Sequence, residues 1–336
     1  MKAARLQSPR KPIKIVEVDD PEPGPGEVVV KIASSGVCHS DLHIAKGEFA
    51  SVKYPIILGH EPAGTVHDVG EAVKGLRKGQ PVLVYPGSGC RRCWFCLQGE
   101  ENHCENGRFF GFDEDGADAE YVLVQSPRYL FPIPGLSTDE AAPLACAGIT
   151  AYHAIKAKAL PVLHPGDYAV IIGVGGLGHI AIQLLKKLST CTIVAVDVRR
   201  QSLRLAEKLG ADHTILAGKD LASQVAKVAK KGVGTVVDFV GSTSTLIASY
   251  AMLRACGRVV VVGAAGGSLK MEAGSTNERA VHGSILGSLS EMQELIELAR
   301  RKQFKVMVKT YPLEQVNDVL KMIEERRITG RAVLKP

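Results

Sequence analysis

The sequence predicts an α/β protein in two parts, an irregular β-rich half followed by a doubly wound parallel sheet. Three observations predict it. Short Val- and Ile-rich segments bounded by Gly, Pro or Asp fill the chain up to about residue 140. Beyond that point, continuous apolar runs alternate with segments of helical spacing, the pattern of strands buried on both faces and their crossover helices. A glycine-rich turn, Gly173-Val174-Gly175-Gly176-Leu177-Gly178, stands where the first such strand meets the first such helix. A length of 336 residues is enough for two domains.

In the first half, strands are expected at 13–18, 28–33, 64–69, 81–85 and 120–124. The segment Pro21-Glu22-Pro23-Gly24-Pro25-Gly26 is a stiff turn, because proline cannot donate to a sheet ladder. In the second half, strands are expected at 168–172, 192–196, 236–240 and 258–262. Ile180, Leu184, Leu185 and Leu188 fall on one helical face, as do Leu203, Ala206 and Leu209. A further strand is expected at 284–288, then a helix at 291–301, a strand at 306–308, a helix at 313–325 and a last strand at 332–334. Pattern alone allows this tail either to complete the parallel sheet or to return to the first domain.

Composition narrows the function classes. There are 41 Lys+Arg against 35 Asp+Glu, a net charge of +6. The excess is dispersed, and its densest runs are short: Arg199-Arg200, Lys230-Lys231, Arg300-Arg301-Lys302 and Arg326-Arg327. These read as solvated helix faces, not as a nucleic-acid surface. The first 18 residues carry Lys2, Arg5, Arg10, Lys11 and Lys14 and no apolar core of a secretory signal. The uncharged stretch 168–185 contains four glycines, His179 and Gln183, so it reads as strand, turn and helix and not as a membrane span. The expected location is cytoplasmic, with no membrane partner. The eight cysteines are then thiols or metal ligands, not disulfides.

The turn at 173–178 fits G-x-G-x-x-G, and Asp197 lies 19 residues beyond Gly178, at the end of the next expected strand. In that context the motif is a dinucleotide fingerprint. The glycines (Gly173, Gly175, Gly176, Gly178) and Leu177 bring backbone N–H groups to a pyrophosphate at a helix N-terminus. Asp197 accepts hydrogen bonds from ribose hydroxyls and repels a 2′-phosphate, which favours NAD over NADP. Arg199 and Arg200 temper that preference.

Cys90, Cys93, Cys96 and Cys104 form C-x2-C-x2-C-x7-C. Four thiolates so spaced surround one tetrahedral zinc ion with no position open, a structural site. Two local disulfides and an iron–sulfur cluster are the alternatives. A second candidate set is dispersed: Cys38 in GVCHSDLH (36–43), His60 and Glu61 in GHEPAGTVHDVG (59–70), and Cys146 in APLACAGITAY (142–152). Cys, His and Cys make three ligands of a catalytic zinc with one place open, provided that they converge.

Together with the terminal ITGRAVLKP (328–336), these motifs make the sequence resemble, over essentially its whole length, the zinc-containing medium-chain alcohol dehydrogenases, especially the microbial tetrameric, NAD-dependent type. The resemblance implies a GroES-like catalytic domain from residues 1–146 and 289–336, with a Rossmann domain at 147–288 between them. It also implies two zinc ions per subunit and a homotetramer, or failing that a dimer. Residue by residue, it makes Cys38, His60 and Cys146 the catalytic zinc ligands, with Glu61 beside the metal, and gives the four-cysteine loop the structural zinc. Ser40 becomes the hydroxyl that meets the substrate oxygen, and His43 the end of a proton relay. His39 and Arg331 are placed at the pyrophosphate, Thr150 at the nicotinamide, and Val262 along the cofactor. Phe49, Tyr85 and Phe109 become pocket residues. One departure is Ser202, where relatives often carry a lysine five residues after the acidic residue.

The implied chemistry is reversible oxidation of a primary or secondary alcohol to an aldehyde or ketone. A free alcohol does not ionise near neutrality, whereas zinc lowers the pKa of bound water from about 15.7 to about 7 and acts on an alcohol in the same direction. The proton would leave through Ser40 and the cofactor ribose to His43, in the cleft between the domains. Polyol, threonine and aryl-alcohol dehydrogenases of the same superfamily are the alternative, and a non-catalytic zinc protein is a more distant one.

Overall fold

The ten-residue strand Val28–Val37 organises the first half of the chain. It pairs antiparallel with Glu61–Val69, Tyr121–Val124 and Arg331–Lys335. Val28, Val29 and Val30 are all buried, which explains the unbroken apolar run where an alternating one would mark a half-exposed strand. The register with Glu61–Val69 shifts twice, between Val29 and Val30 and between Ile32 and Ser34. Such irregularities bend a strand and re-aim its side chains. Gly64 sits at the crowded point of this pair, where a Cβ would lie 2.0 Å from the Lys31 carbonyl oxygen.

This computed structural model describes residues 1–271 and 277–336. Met1–Ile149, Ser288–Lys302 and Val306–Pro336 make one compact unit, and Thr150–Gly287 with Gln303–Lys305 makes the other. In the first unit the main sheet has seven strands, in the order Leu130–Pro132, Pro81–Val84, Glu61–Val69, Val28–Val37, Arg331–Lys335, Val308–Pro312, with Tyr121–Val124 also on Val28–Val37. A smaller sheet joins Lys14–Glu17, Lys2–Leu6 and Ile56–Ile57. The C-terminal segment therefore returns to this unit, which decides between the two courses open to the tail. Its helix Val316–Glu324 buries Val316, Val319 and Leu320 in one core with Leu42, Ile44 and Leu58.

The second unit carries a six-stranded parallel sheet in the order His213–Leu216, Thr192–Asp197, Tyr168–Ile172, Val233–Asp238, Leu253–Val261, Ala280–Gly283. Counted along the chain this is 3-2-1-4-5-6, the doubly wound order that binds dinucleotides where the strand order reverses. Val170, Val194, Val236 and Val259 are fully buried at its centre.

The strand expected at 284–288 is not there. The edge strand is Ala280–Gly283, pairing with Arg258 to Val261. Ile285 is 66% exposed, Leu286 has a φ of 51°, and Ser288 caps the helix Leu289–Arg300. The apolar pair marks an irregular crossing, with Ile285 exposed and Leu286 buried, and not a strand. Likewise the strand placed at 306–308 runs from Val308 to Pro312, and the helix expected at 313–325 begins as a 3₁₀ turn, Leu313–Gln315, before Val316–Glu324. No helix among the described residues is long and apolar enough to cross a membrane.

Candidate active site

Cys38 is the N-cap of the helix His39–Lys46, in extended conformation at φ −107° and ψ 162°. Its backbone N–H donates to Asp41 Oδ2 at 2.7 Å, which closes a capping box. The other oxygen of that carboxylate, Oδ1, lies 3.1 Å from His60 Nδ1. Asp41 is only 1% exposed. One buried carboxylate therefore sets both the Cys38 backbone and the His60 ring. An Nδ1–H that donates to it leaves Nε2 free to ligate. Asp41 escaped the sequence reading, although its place three residues into a helix capped by Cys38 was the available signal.

His60, Glu61, Cys38 and Cys146 each offer one ligand atom, and these lie within 4.8 Å of one another. Glu61 is completely buried. Its Oε1 accepts from Arg331 Nη2, and its Oε2 has no hydrogen-bond partner among the described residues. Gly36 makes room for that oxygen, since a Cβ there would come within 2.1 Å of it. Burial pushes the Glu61 carboxyl up to about 8, against the pull of Arg331.

The electrostatics are those of a cation site. Cys38 is drawn well below the ordinary thiol range by the Cys146 thiol, against its burial and with help from His60 and Arg331. Cys146 is pushed well up by Cys38 and by burial, which favours the protonated sulfur there. Burial opposes charge on His60, but Asp41 and Cys38 prevail and raise it well above ordinary imidazole. A divalent ion releases these protons on binding and compensates the same sulfurs. Two soft thiolates, one imidazole and an unpartnered carboxylate oxygen fit zinc.

Ser40 Oγ is 3.8 Å from Cys38 Sγ. His43 is three residues further along the same helix, hence on a neighbouring part of its face. The His39 and His43 rings are 5.0 Å apart. Burial, then His43, holds His39 below ordinary imidazole. Among the aromatic candidates, Phe49 lies 5.6 Å from Phe112, whose ring meets His60 edge-on at 5.4 Å. Phe112 was not foreseen. Tyr85 is fully buried and stacks on Tyr129, and Phe109 belongs to the short strand pair at the base of the cysteine loop. Arg331 is buried against Glu61.

The loop cysteines converge separately. The ligand atoms of Cys90, Cys93, Cys96 and Cys104 also lie within 4.8 Å of one another, and Cys93 Sγ is 3.9 Å from Cys104 Sγ. A tetrahedron with Zn–S bonds of ~2.3 Å has edges of about 3.8 Å, so one ion fits, whereas a multi-iron cluster would hold its thiolates further apart. All eight cysteines are free thiols. Backbone N–H groups of Arg92 and Cys93 bring Cys90 down to about 6, and those of Cys96 and Glu105 lower Cys93. Replacing Cys93 by Ala is expected to cost about 3 kcal/mol, roughly 6–12 °C in Tm for a domain of this size, with turnover per folded molecule kept within about twofold. Thermal melts beside active-site titration check this.

In the second unit, Gly173 has a φ of 90°, and a Cβ at Gly178 would lie 2.0 Å from the Gly173 carbonyl oxygen. A Cβ at Gly175 meets nothing within 4 Å. Packing thus demands the first and last glycines, while the middle one leaves open space of the kind a pyrophosphate takes beside Gly176 and Leu177. Asp197 Oδ2 accepts from Val174 N and Oδ1 from Arg199 N, each at 2.8 Å. A carboxylate has further lone pairs for ribose hydroxyls. Thr150 is buried in the helix Ala147–His153, and Val262 follows the strand Leu253–Val261, its N–H on the Asp238 carbonyl.

Comparison with known proteins agrees with this construction. Residues 24–135 match the alcohol dehydrogenase GroES-like domain, and residues 176–301 match the zinc-binding dehydrogenase domain. An NAD-dependent alcohol dehydrogenase of Sulfurisphaera tokodaii is 39% identical, with both chains covered in full. The crystal structure of the alcohol dehydrogenase from Aeropyrum pernix superposes with a TM-score of 0.94 at 43% identity, again over all of both chains. A D-arabinose 1-dehydrogenase (NADP(+)) of Saccharolobus solfataricus is 36% identical, covering all of this chain and 97% of its own. The chain belongs to the zinc-binding alcohol dehydrogenase family.

Proposed function

We propose that this protein is an NAD-dependent zinc alcohol dehydrogenase that interconverts primary or secondary alcohols with aldehydes or ketones. The observation that carries the reading is the convergence of Cys38, His60 and Cys146 from three distant segments around one point, with Asp41 orienting two of them. Zinc held by these three residues would supply Lewis acidity to the substrate oxygen, and NAD on the glycine-rich turn would accept the hydride.

The chain's own residues do the rest. Cys38 and Cys146 offset the charge of the ion, so a carbonyl product is not held too firmly to leave. Ser40, beside Cys38, accepts the hydroxyl proton of the substrate and passes it toward His43. Asp197 binds the adenosine ribose and disfavours a 2′-phosphate, which supports NAD. Residues 1–146 and 289–336 serve as the catalytic part and 147–288 as the cofactor part. The four-thiolate loop holds a second, structural zinc. The exposed apolar Val281 on the edge strand and Ile285 just beyond it support self-association, as a tetramer or a dimer, and the free cysteines support a cytoplasmic setting.

A second reading, a sugar or polyol dehydrogenase, is favoured by the likeness to the D-arabinose enzyme. The test is NADH formation, followed by absorbance, with a panel of primary, secondary and aromatic alcohols and aldoses. Each is run with both cofactors, with and without chelator. Chelator-sensitive oxidation of simple alcohols with NAD is the expected result, and activity confined to aldoses with NADP would replace this reading by the second.

A further inference from the structure

The helix His39–Lys46 ends at Gly47, in the left-handed region at φ 74°. Gly47 N donates to Ile44 O at 2.9 Å and Glu48 N to His43 O at 3.0 Å, a Schellman closure. The reversal folds the Glu48 side chain back over the helix, where Oε2 meets His43 Nδ1 in a hydrogen bond. Glu48 is thus tied to His43 twice, by its backbone N–H and by its carboxylate. The nearest cation in sequence, Lys46, is engaged elsewhere, 2.7 Å from Glu324. Phe49 closes the other side, its ring edge-on to His43 at 6.0 Å. The contact with His43 draws the Glu48 carboxyl below its usual range.

A neutral imidazole carries one N–H, and a carboxylate only accepts. We infer that Glu48 is a positioning residue: it holds His43 in the Nδ1–H form and so presents Nε2 as the proton acceptor of the reaction. This rests on the dehydrogenase reading above. The proton from the substrate hydroxyl, passed on through Ser40, forms its new bond at Nε2 and then leaves from Nε2 to water. Ser40 gives up its own hydroxyl proton as it takes the substrate's, the Nδ1–H stays on the ring and Glu48 stays ionised, so one proton in all is handed on to water. The logic is that of carboxylates that fix the tautomer of a catalytic or metal-binding histidine.

The test uses the zinc-loaded full chain, labelled with ¹⁵N-histidine, with His43 assigned from a His43→Asn sample. Two-dimensional ¹⁵N–¹H spectra report its tautomer. Wild type is expected to show Nδ1–H, and Glu48→Gln a shift toward Nε2–H. In parallel, kcat for alcohol oxidation is expected to fall about tenfold in Glu48→Gln, with KM for alcohol and NAD within twofold, and Glu48→Asp is expected to restore most of it. An Nε2–H ring in wild type, a tautomer indifferent to Glu48→Gln, or a switched tautomer with unchanged kcat would each overturn the inference. Failure of wild type to oxidise any alcohol counts against the dehydrogenase reading instead, since the tautomer reports on the pair alone.

Discussion

Replacing Cys146 by Ala is expected to lower kcat with alcohol and NAD by at least about a hundredfold, or ~2.7 kcal/mol in barrier, while the fold survives. The residue stands after the 3₁₀ turn Ala142–Ala145 and contributes a sulfur to the buried cluster. Truncation leaves Cys38 and His60 as ligands with Glu61 beside them. Two strong ligands hold zinc less firmly than three, and loss of one thiolate raises the charge that the product must leave. Elemental analysis should find two zinc ions per wild-type chain and about one per Cys146→Ala chain, the remaining ion in the four-cysteine loop. Circular dichroism should be unchanged. A wild-type chain holding one ion, all of it in that loop, and turning over fully would remove the catalytic set from the mechanism.

Asp41→Ala should weaken zinc at the same site by about 10- to 100-fold, the usual cost of losing a carboxylate that orients a ligating histidine. Two buried donors lose their acceptor together, the Cys38 N–H and His60 Nδ1. Asp41→Asn is expected to recover only part of the loss. Its amide oxygen can serve one donor, but its NH₂ then faces the other. Competition against a chromophoric chelator measures the affinities, with thermal melts of the metal-free forms as control. Equal zinc affinity in all three proteins would show that Asp41 is merely a helix cap.

Much of this site was legible because its chemistry demands particular residue types at short range. The four loop cysteines span 15 residues, from 90 to 104, so spacing alone brings them together. The glycine turn is constrained by sterics that act locally, as at Gly173 and Gly178. Cys38, His60 and Cys146 were different. No periodicity joins positions so far apart, and only the likeness to a family suggested that they meet. Asp41 gave only a weak signal, for another reason. An acidic residue in the first turn of a helix is ordinary, and its burial comes from tertiary packing. Boundaries failed where local pattern and exposure disagree. The strand His213–Leu216 buries only Ile215, so it lacked the apolar run that betrayed its neighbours, and Ile285-Leu286 carried the apolar signal without the strand.

The seven-stranded sheet has one more consequence, which concerns time. Its strands Val308–Pro312 and Arg331–Lys335 leave the ribosome after the whole of the parallel sheet, and Arg331 brings the partner of Glu61. The parallel sheet at 168–283 is complete well before then. During synthesis the nucleotide-binding unit can therefore fold while the metal-binding one still waits for its closing strands, with its thiols open to stray ions and oxidants. Newborn chains would need shielding most in that interval, and a truncation that removes only the final strand should leave a well-folded dinucleotide module attached to an unfinished partner.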